Sequence, residues 1–276
     1  MREQVYYFKT LETILFEKNP QKKFDTFAHF YIQFLNDETR FENEYLPLRL
    51  EKPSYESFLK IVLPKEVNQR KYFDTVEGKA KLLHTICHIE YCAVDLALDA
   101  AYRFMNLPKA YYADWLEVAE DEIRHFKMCE NLLHRLGYKY GDFEVHTNLF
   151  EAMKKTTTLL SRMAIVPRYL EANGLDQNPK IMEKLKSNPD EMNRAILEAL
   201  NIILEEEITH VQKGDRWFKY ACKEEQMEPE QTYLKLLEEF YPGSTQKKQS
   251  LNFEARKKAG FSCDELKRLA NSESCF

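Results

Sequence analysis

Apolar residues recur along most of this chain every three or four positions, which is the spacing of helices with one buried face. In the first ~75 residues these segments are short, rich in Phe and Tyr, and interrupted by prolines such as Pro20 and Pro53. Beyond Gly78 the segments lengthen, and they predict four long helices at about 77–105, 108–136, 148–173 and 188–224. The pattern therefore predicts an all-α fold: a four-helix bundle with additional N-terminal and C-terminal helices.

Capping and breaking residues predict where the long helices begin and end. Gly137 should end the second one in the left-handed conformation, and Gly174 should end the third. Pro167 lies inside the third helix and should kink it. Asn188 followed by Pro189 supplies a cap and a first-turn proline, so the fourth helix is predicted to open there.

The change in segment length divides the chain into three predicted regions. Residues 1–76 form an N-terminal helical segment packed on the bundle, residues 77–225 form the bundle, and residues 226–276 form a C-terminal helical tail. In the tail, a short helix follows Pro229. The sequence Ser262-Cys263-Asp264-Glu265 is a capping box that predicts the start of a last helix.

Composition and charge argue against several other classes of protein. The chain has 7 glycines in 276 residues and contains neither GxGxxG nor GxxxxGK[ST], so glycine-rich phosphate-binding loops are not expected. Its 40 Lys+Arg against 45 Asp+Glu give a net charge of −5, which is not typical of a nucleic-acid-binding protein. No uncharged apolar run approaches the ~18 residues of a membrane span. We therefore expect neither nucleic acid nor membrane as a partner.

The six cysteines show no paired spacing. They include no CxxC motif and no pattern typical of a small disulfide-rich domain. We therefore expect free thiols and a reducing, cytoplasmic location for Cys87, Cys92, Cys129, Cys222, Cys263 and Cys275.

Two of the long helices carry the motif Glu-x-x-His. Glu122 and His125 lie in the second long helix, and Glu207 and His210 lie in the fourth. Residues three apart leave the same face of a helix, so each pair can bind one metal ion together. The motif alone is weak, because chance order would produce it in a chain so rich in glutamate.

The surroundings of these motifs give them more weight. Glu90 and Glu171 lie on the apolar sides of the first and third long helices, so each of the four helices directs one glutamate inward. An unpaired buried carboxylate costs several kcal/mol, and four together also repel one another. Two divalent cations would neutralise them. Carboxylate and imidazole donors without thiolate favour iron or manganese over a structural zinc site.

The order Glu, Glu-x-x-His, Glu, Glu-x-x-His is the ligand pattern of ferritin-like di-iron bundles. With His84-Thr-Ile-Cys-His-Ile-Glu90, the run from Pro167 to Asp176, and Asn252-Phe-Glu-Ala-Arg256, the chain resembles the ferritin-like superfamily. Within it, the chain closely resembles the branch catalogued as domain of unknown function 455, which is related in architecture to a di-iron tRNA hydroxylase. The resemblance implies a metal site formed by Glu90, Glu122, His125, Glu171, Glu207 and His210, with Glu122 and Glu207 as the bridging carboxylates.

The resemblance implies two iron ions, with manganese or a mixed Mn/Fe pair as alternatives. The expected function is an oxidoreductase that activates O₂ or peroxide to oxidise or hydroxylate a substrate. The small-molecule substrate and the electron donor stay unknown, and tRNA enters only by analogy. An iron-binding or storage protein and a metal-free helical scaffold are the alternatives. A homodimer is one oligomeric state that the sequence leaves open.

A second histidine pair lies beside the predicted site. His84 and His88 are four residues apart, a spacing that could itself bind a metal. His88, however, is ~160° around the helix from Glu90. We therefore expect both histidines to form a polar network that holds the first long helix against the N-terminal segment.

Overall fold

The computed structural model describes residues 4–67, 73–246 and 250–275. These residues are mostly helical, so the predicted all-α class is confirmed. Within the predicted N-terminal segment, residues 1–3 and 68–72 lie outside the described residues. The chain divides into two compact units, residues 1–150 and 151–276.

The first unit is built around a long helical hairpin. Its elements are β1 (Val5–Tyr6), α1 (Tyr7–Phe16), α2 (Pro20–Leu35), β2 (Thr39–Arg40), a 3₁₀ turn (Ser54–Ser57), α3 (Val76–Arg103) and α4 (Lys109–Arg135). The helices α3 and α4 match the first two predicted long helices to within a few residues. The side chain of Thr75 caps α3 by accepting a hydrogen bond from the Gly78 N–H. Gly137 ends α4 with a φ of 83°, so its predicted left-handed cap is confirmed.

The N-terminal helices of this unit pack on α3 and α4 through aromatic rings. Tyr7 stacks on Phe41 and contacts Tyr112 edge to face. A buried ion pair joins Lys23 of α2 to Asp95 of α3. The pair is accompanied by a hydrogen bond from Ser54 Oγ to Asp95 Oδ2 (2.6 Å). A cation from one element and a carboxylate from another thus neutralise each other in the interior.

The helices of the second unit are more broken than predicted. After α5 (Asn148–Lys155), which crosses the unit boundary, come α6 (Leu159–Ile165), a π-helical turn (Val166–Glu171), α7 (Ala172–Lys186), α8 (Glu191–Glu224), α9 (Pro229–Phe240), α10 (Phe253–Lys258) and α11 (Cys263–Ala270). The prediction of one helix over 148–173 is therefore wrong. A capping box formed by Thr158 and Ser161 restarts the helix after Lys155.

Two predicted helix boundaries in this unit also need correction. Gly174 does not end a helix but lies inside α7, which continues to Lys186. The helix α8 begins at Glu191 instead of Asn188, because the side chain of Asp190 accepts the capping hydrogen bond from the Asn193 N–H (2.7 Å). Gly174 and Asn188 are both residues that often mark helix boundaries. Here α7 continues through Gly174, and Asp190 replaces Asn188 as the capping residue.

The predicted kink at Pro167 takes the form of the six-residue π-helical turn. Proline has no N–H to donate to the preceding turn, so the regular α-helical hydrogen-bond ladder is interrupted there. The turn lies directly against α8 at Gly214. A Cβ atom at Gly214 would be 2.3 Å from the Pro167 Cβ, so only glycine allows this approach.

The cysteines correct a further prediction. Cys263 and Cys275 form a disulfide whose Cα atoms are 5.7 Å apart, whereas Cys87, Cys92, Cys129 and Cys222 are free and buried. The Ser262–Glu265 capping box begins α11 as predicted, and the chain then folds back to bring Cys275 near the helix start. The spacing of Cys263 and Cys275, 12 positions apart, matches no common cysteine motif, so nothing in the sequence indicated that they pair. No helix within the described residues is long and apolar enough to cross a membrane.

Replacing Gly214 by alanine tests the close approach of Pro167 to α8. Alanine is the better helix former by about 1 kcal/mol, but its Cβ would collide with a rigid ring. We expect G214A to lower the free energy of unfolding by about 1 to 3 kcal/mol in urea denaturation. The control is G174A, since a Cβ at Gly174 meets nothing within 4 Å and should stabilise the protein slightly. Equal effects of both variants would contradict the contact.

Candidate metal centre

The hairpin of the first unit brings three predicted ligands together in its interior. Glu90 projects from α3, and Glu122 and His125 project from one face of α4. His125 Nδ1 lies 3.3 Å from Glu90 Oε2 and 3.5 Å from Glu122 Oε2. Each residue offers a ligand atom within 4.8 Å of those of the other two. All three residues are buried, with exposed fractions of 3% or less.

Regular helix geometry explains this cluster. Glu122 and His125 are three residues apart, so their side chains lie on the same side of α4. The same face of α4 buries Phe126 and Cys129, and Cys87 is buried one helical turn before Glu90 on α3. The cluster therefore lies among apolar groups that exclude water.

Burial and proximity disturb the protonation of Glu90 and His125. Burial and the nearby charge of Glu122 raise the pKa of Glu90 well above its usual value. Burial alone would lower the pKa of His125, but its contacts with Glu122 and Glu90 raise that pKa to about 11. Without a metal, the cluster therefore retains protons that exposed side chains would release at neutral pH.

The donor set fits a divalent cation. Two carboxylates and one imidazole supply hard oxygen and nitrogen ligands, and a cation would relieve the repulsion between the carboxylates. A buried cluster of Glu and His that could hold a metal ion is therefore present in the first unit.

The second unit carries the other three predicted ligands. Glu207 and His210 are both buried on α8, with His210 Nδ1 3.8 Å from Glu207 Oε1. Glu171 is the last residue of the π-helical turn. Its side chain is half-buried, and its Oε2 atom is buried. The second Glu-x-x-His motif thus repeats the buried arrangement of the first.

His84 and His88 form a network with a different segment from the one predicted. The Gly141 N–H donates to His84 Nε2 at 3.0 Å. His88 Nδ1 lies 2.9 Å from the Tyr140 hydroxyl, and its Nε2 lies 3.0 Å from the His146 carbonyl oxygen. Both histidines therefore bind the loop that follows α4, whereas the polar links from α3 to the N-terminal helices include the Lys23–Asp95 pair and the hydrogen bond from the Tyr7 hydroxyl to the Ala101 carbonyl oxygen.

Comparison with known proteins finds similarity over most of the chain. Residues 16–267 match a family model described as "Protein of unknown function (DUF455)". A Haemophilus influenzae protein described as an uncharacterized protein is 36% identical over 275 residues, covering 94% of this chain and 92% of that protein. No solved structure matches the chain. The matched region includes all six predicted ligand positions.

His84 gives the protein a defined sensitivity to acid. Burial lowers its pKa to about 4, although Asp142 and Glu144 oppose the shift. In the unfolded chain an ordinary histidine titrates near pH 6.5. As the pH falls from about 6.5 to 4, the unfolded state binds a proton that the folded state does not. Stability contributed by neutral His84 is therefore present above this range and lost within it.

We expect H84Q, whose amide can still accept from Gly141, to weaken this dependence. Its free energy of unfolding should fall less than that of the wild type between pH 7 and pH 5, by on the order of 1 kcal/mol. Urea denaturation at several pH values measures the difference. The control is H29Q, at an exposed position on α2. Parallel slopes for H84Q and the wild type would contradict the assignment.

Neutralising Glu90 tests the repulsion within the cluster. In the metal-free protein at pH 7.5, E90Q should raise the free energy of unfolding by on the order of 1 kcal/mol, because an amide carries no charge to bury beside Glu122. The folded-state pKa of Glu90 is raised, so its cost to the wild type grows as the pH rises above the ordinary glutamate value. The gain should therefore shrink towards pH 5.

The control is E120Q, at an exposed position on α4, the helix that carries Glu122. Denaturation of both variants after treatment with a chelator gives the comparison. A wild type that is more stable than E90Q at pH 7.5 would show that the ion pairs with His125 outweigh the repulsion.

Proposed function

The chain belongs to the DUF455 family of proteins of unknown function, and on that premise we propose that it is a di-metal carboxylate oxidoreductase of the ferritin-like type. The family membership agrees with the resemblance seen in the sequence, and the description of the family names no activity. The function must therefore be argued from the site.

The observation that carries the proposal is the cluster of Glu90, Glu122 and His125. Ligand atoms of these residues lie within 4.8 Å of one another in an almost fully buried position. Two buried carboxylates beside an imidazole are costly to keep ionised in an apolar interior. A divalent cation gives this arrangement a physical reason to exist, and iron or manganese suits its donors.

The second Glu-x-x-His pair supports a second ion. We propose that Glu207, His210 and Glu171 would hold it. Four carboxylates would then balance two divalent cations, and the two imidazoles would complete the ligand set. The supporting facts are the burial of both Glu207 and His210 and their shared face on α8.

A bound pair of reduced iron ions supplies the capacity to activate O₂ or peroxide for oxidation or hydroxylation. The chain's own residues hold the ions and shape their surroundings. Phe126 and Cys129 exclude water from the side of α4 that carries the ligands. The organic substrate is proposed to be a small molecule, because the net charge of −5 does not favour tRNA. A cytoplasmic location and a homodimer stay predictions.

Metal content and oxygen uptake test this function together. Protein loaded with Fe²⁺ without oxygen should retain two ions per chain, and removing them should lower the melting temperature. E122A and E207A should each retain fewer ions and lose most of this stabilisation. E205A, at an exposed position on α8, is the matched control and should bind iron as the wild type does.

With a reductant and candidate substrates, the iron-loaded wild type should consume O₂ continuously, and E122A should not. Uptake that stops after one equivalent per metal pair would indicate iron binding without turnover. Equal metal content in the wild type and in both ligand variants would defeat the site itself and favour a metal-free scaffold.

A further inference from the structure

A fully buried arginine occupies the middle of the π-helical turn. Arg168 Nε lies 3.0 Å from Asp215 Oδ1 on α8. Its Nη2 donates to Glu265 Oε1 on α11 at 2.7 Å. One guanidinium therefore joins three segments that are far apart in sequence, and two carboxylates balance its charge in the interior.

Aromatic rings enclose the same guanidinium. Its carbon atom lies 4.8 Å from the ring centre of Phe218, 4.2 Å from that of Tyr233 and 4.7 Å from that of Phe261. The Tyr233 hydroxyl also donates to the backbone carbonyl of Arg168 at 3.0 Å. Both the side chain and the backbone of the turn are thus held in place.

Asp215, the partner of Arg168, is itself confined. Lys219 Nζ donates to its Oδ2 at 2.7 Å. A Cβ atom at Gly260, where φ is 102°, would lie 2.3 Å from the same oxygen. The loop before α11 therefore approaches this carboxylate so closely that a side chain at Gly260 would displace it.

The position of this network relative to the proposed ligands suggests its purpose. Arg168 precedes Glu171 by three residues in the same turn, and Asp215 follows His210 by five residues on α8. We propose that Arg168 is a positioning residue, which fixes Glu171 relative to Glu207 and His210 through its ion pairs with Asp215 and Glu265. This inference rests on the proposed function, because it takes Glu171 as a metal ligand.

A merely structural role would predict lower stability alone. A positioning role also predicts a changed metal site at temperatures where the variant is fully folded. Groups that orient metal ligands typically change metal affinity by about 10-fold to 100-fold when they are removed. The two roles can therefore be separated by comparing Arg168 with another buried arginine of the same unit.

Arg162 is that control. It is buried in α6, where it donates to Thr156 Oγ1 at 2.8 Å and to the Met153 carbonyl oxygen at 2.8 Å. These bonds fix the connection between α5 and α6. R162Q should therefore destabilise the unit without loosening the π-helical turn.

The experiment is a Co²⁺ titration of the full chain, followed by visible absorption, which reports the coordination of each ion. The wild type should bind two ions. R168Q should bind one of them about tenfold or more weakly, with an altered spectrum, whereas R162Q should keep both affinities. If R168Q fails to fold, E265Q takes its place. It removes only one partner of Arg168, so it should weaken the binding of the same ion to a smaller degree.

Hydrogen exchange of the metal-free proteins provides a second measurement. The amides of residues 168–171 should exchange faster in R168Q than in R162Q, compared at equal distance below their melting temperatures. Two Co²⁺ ions bound with wild-type affinity and spectrum by R168Q would overturn the positioning role and leave the metal centre intact. A wild type that binds no Co²⁺ would overturn both proposals.

Discussion

The contact between Glu90, Glu122 and His125 is the interaction on which the interpretation of this protein depends. Two carboxylates share an interior position that would ordinarily hold apolar side chains, and they are held 3.3 and 3.5 Å from one imidazole nitrogen. Helix packing imposes this proximity, since the α3–α4 hairpin cannot form without bringing the residues together. The negative charge of the two carboxylates must then be balanced by bound protons or by a cation.

Elsewhere in the interior, the protein balances charge with its own side chains. Lys23 meets Asp95 in the first unit, and Arg256 meets Asp176 in the second, with 2.7 Å between Nη2 and Oδ2. Arg168 meets two carboxylates. Each of these carboxylates has a lysine or arginine side chain as its partner. The hairpin cluster instead places its two carboxylates beside a histidine, which agrees with a group that could hold a metal ion.

The elements that were well predicted are those whose signals are local. The helices α3 and α4 have a continuous apolar face, and Gly137 marks the end of α4, so the sequence located both helices and the three residues that cluster between them. The region from 148 to 186 was predicted poorly, because its apolar spacing continues through the break before Thr158 and through the π-helical turn. Contacts between distant residues were beyond the reach of the sequence. One partner of Arg168, Glu265, lies 97 positions away, and the Cys263–Cys275 disulfide depends on how the tail folds back.

Glu265 illustrates how closely local and distant contacts are joined in the tail. Its Oε2 accepts the Ser262 N–H that begins α11, at 2.8 Å, while its Oε1 accepts from Arg168. A single carboxylate thus serves as a helix cap and as a tertiary anchor. An aspartate there, one methylene shorter, could not span both contacts. Unwinding of α11 and release of the arginine are therefore a single cooperative event, so α11 and the π-helical turn lose their order together.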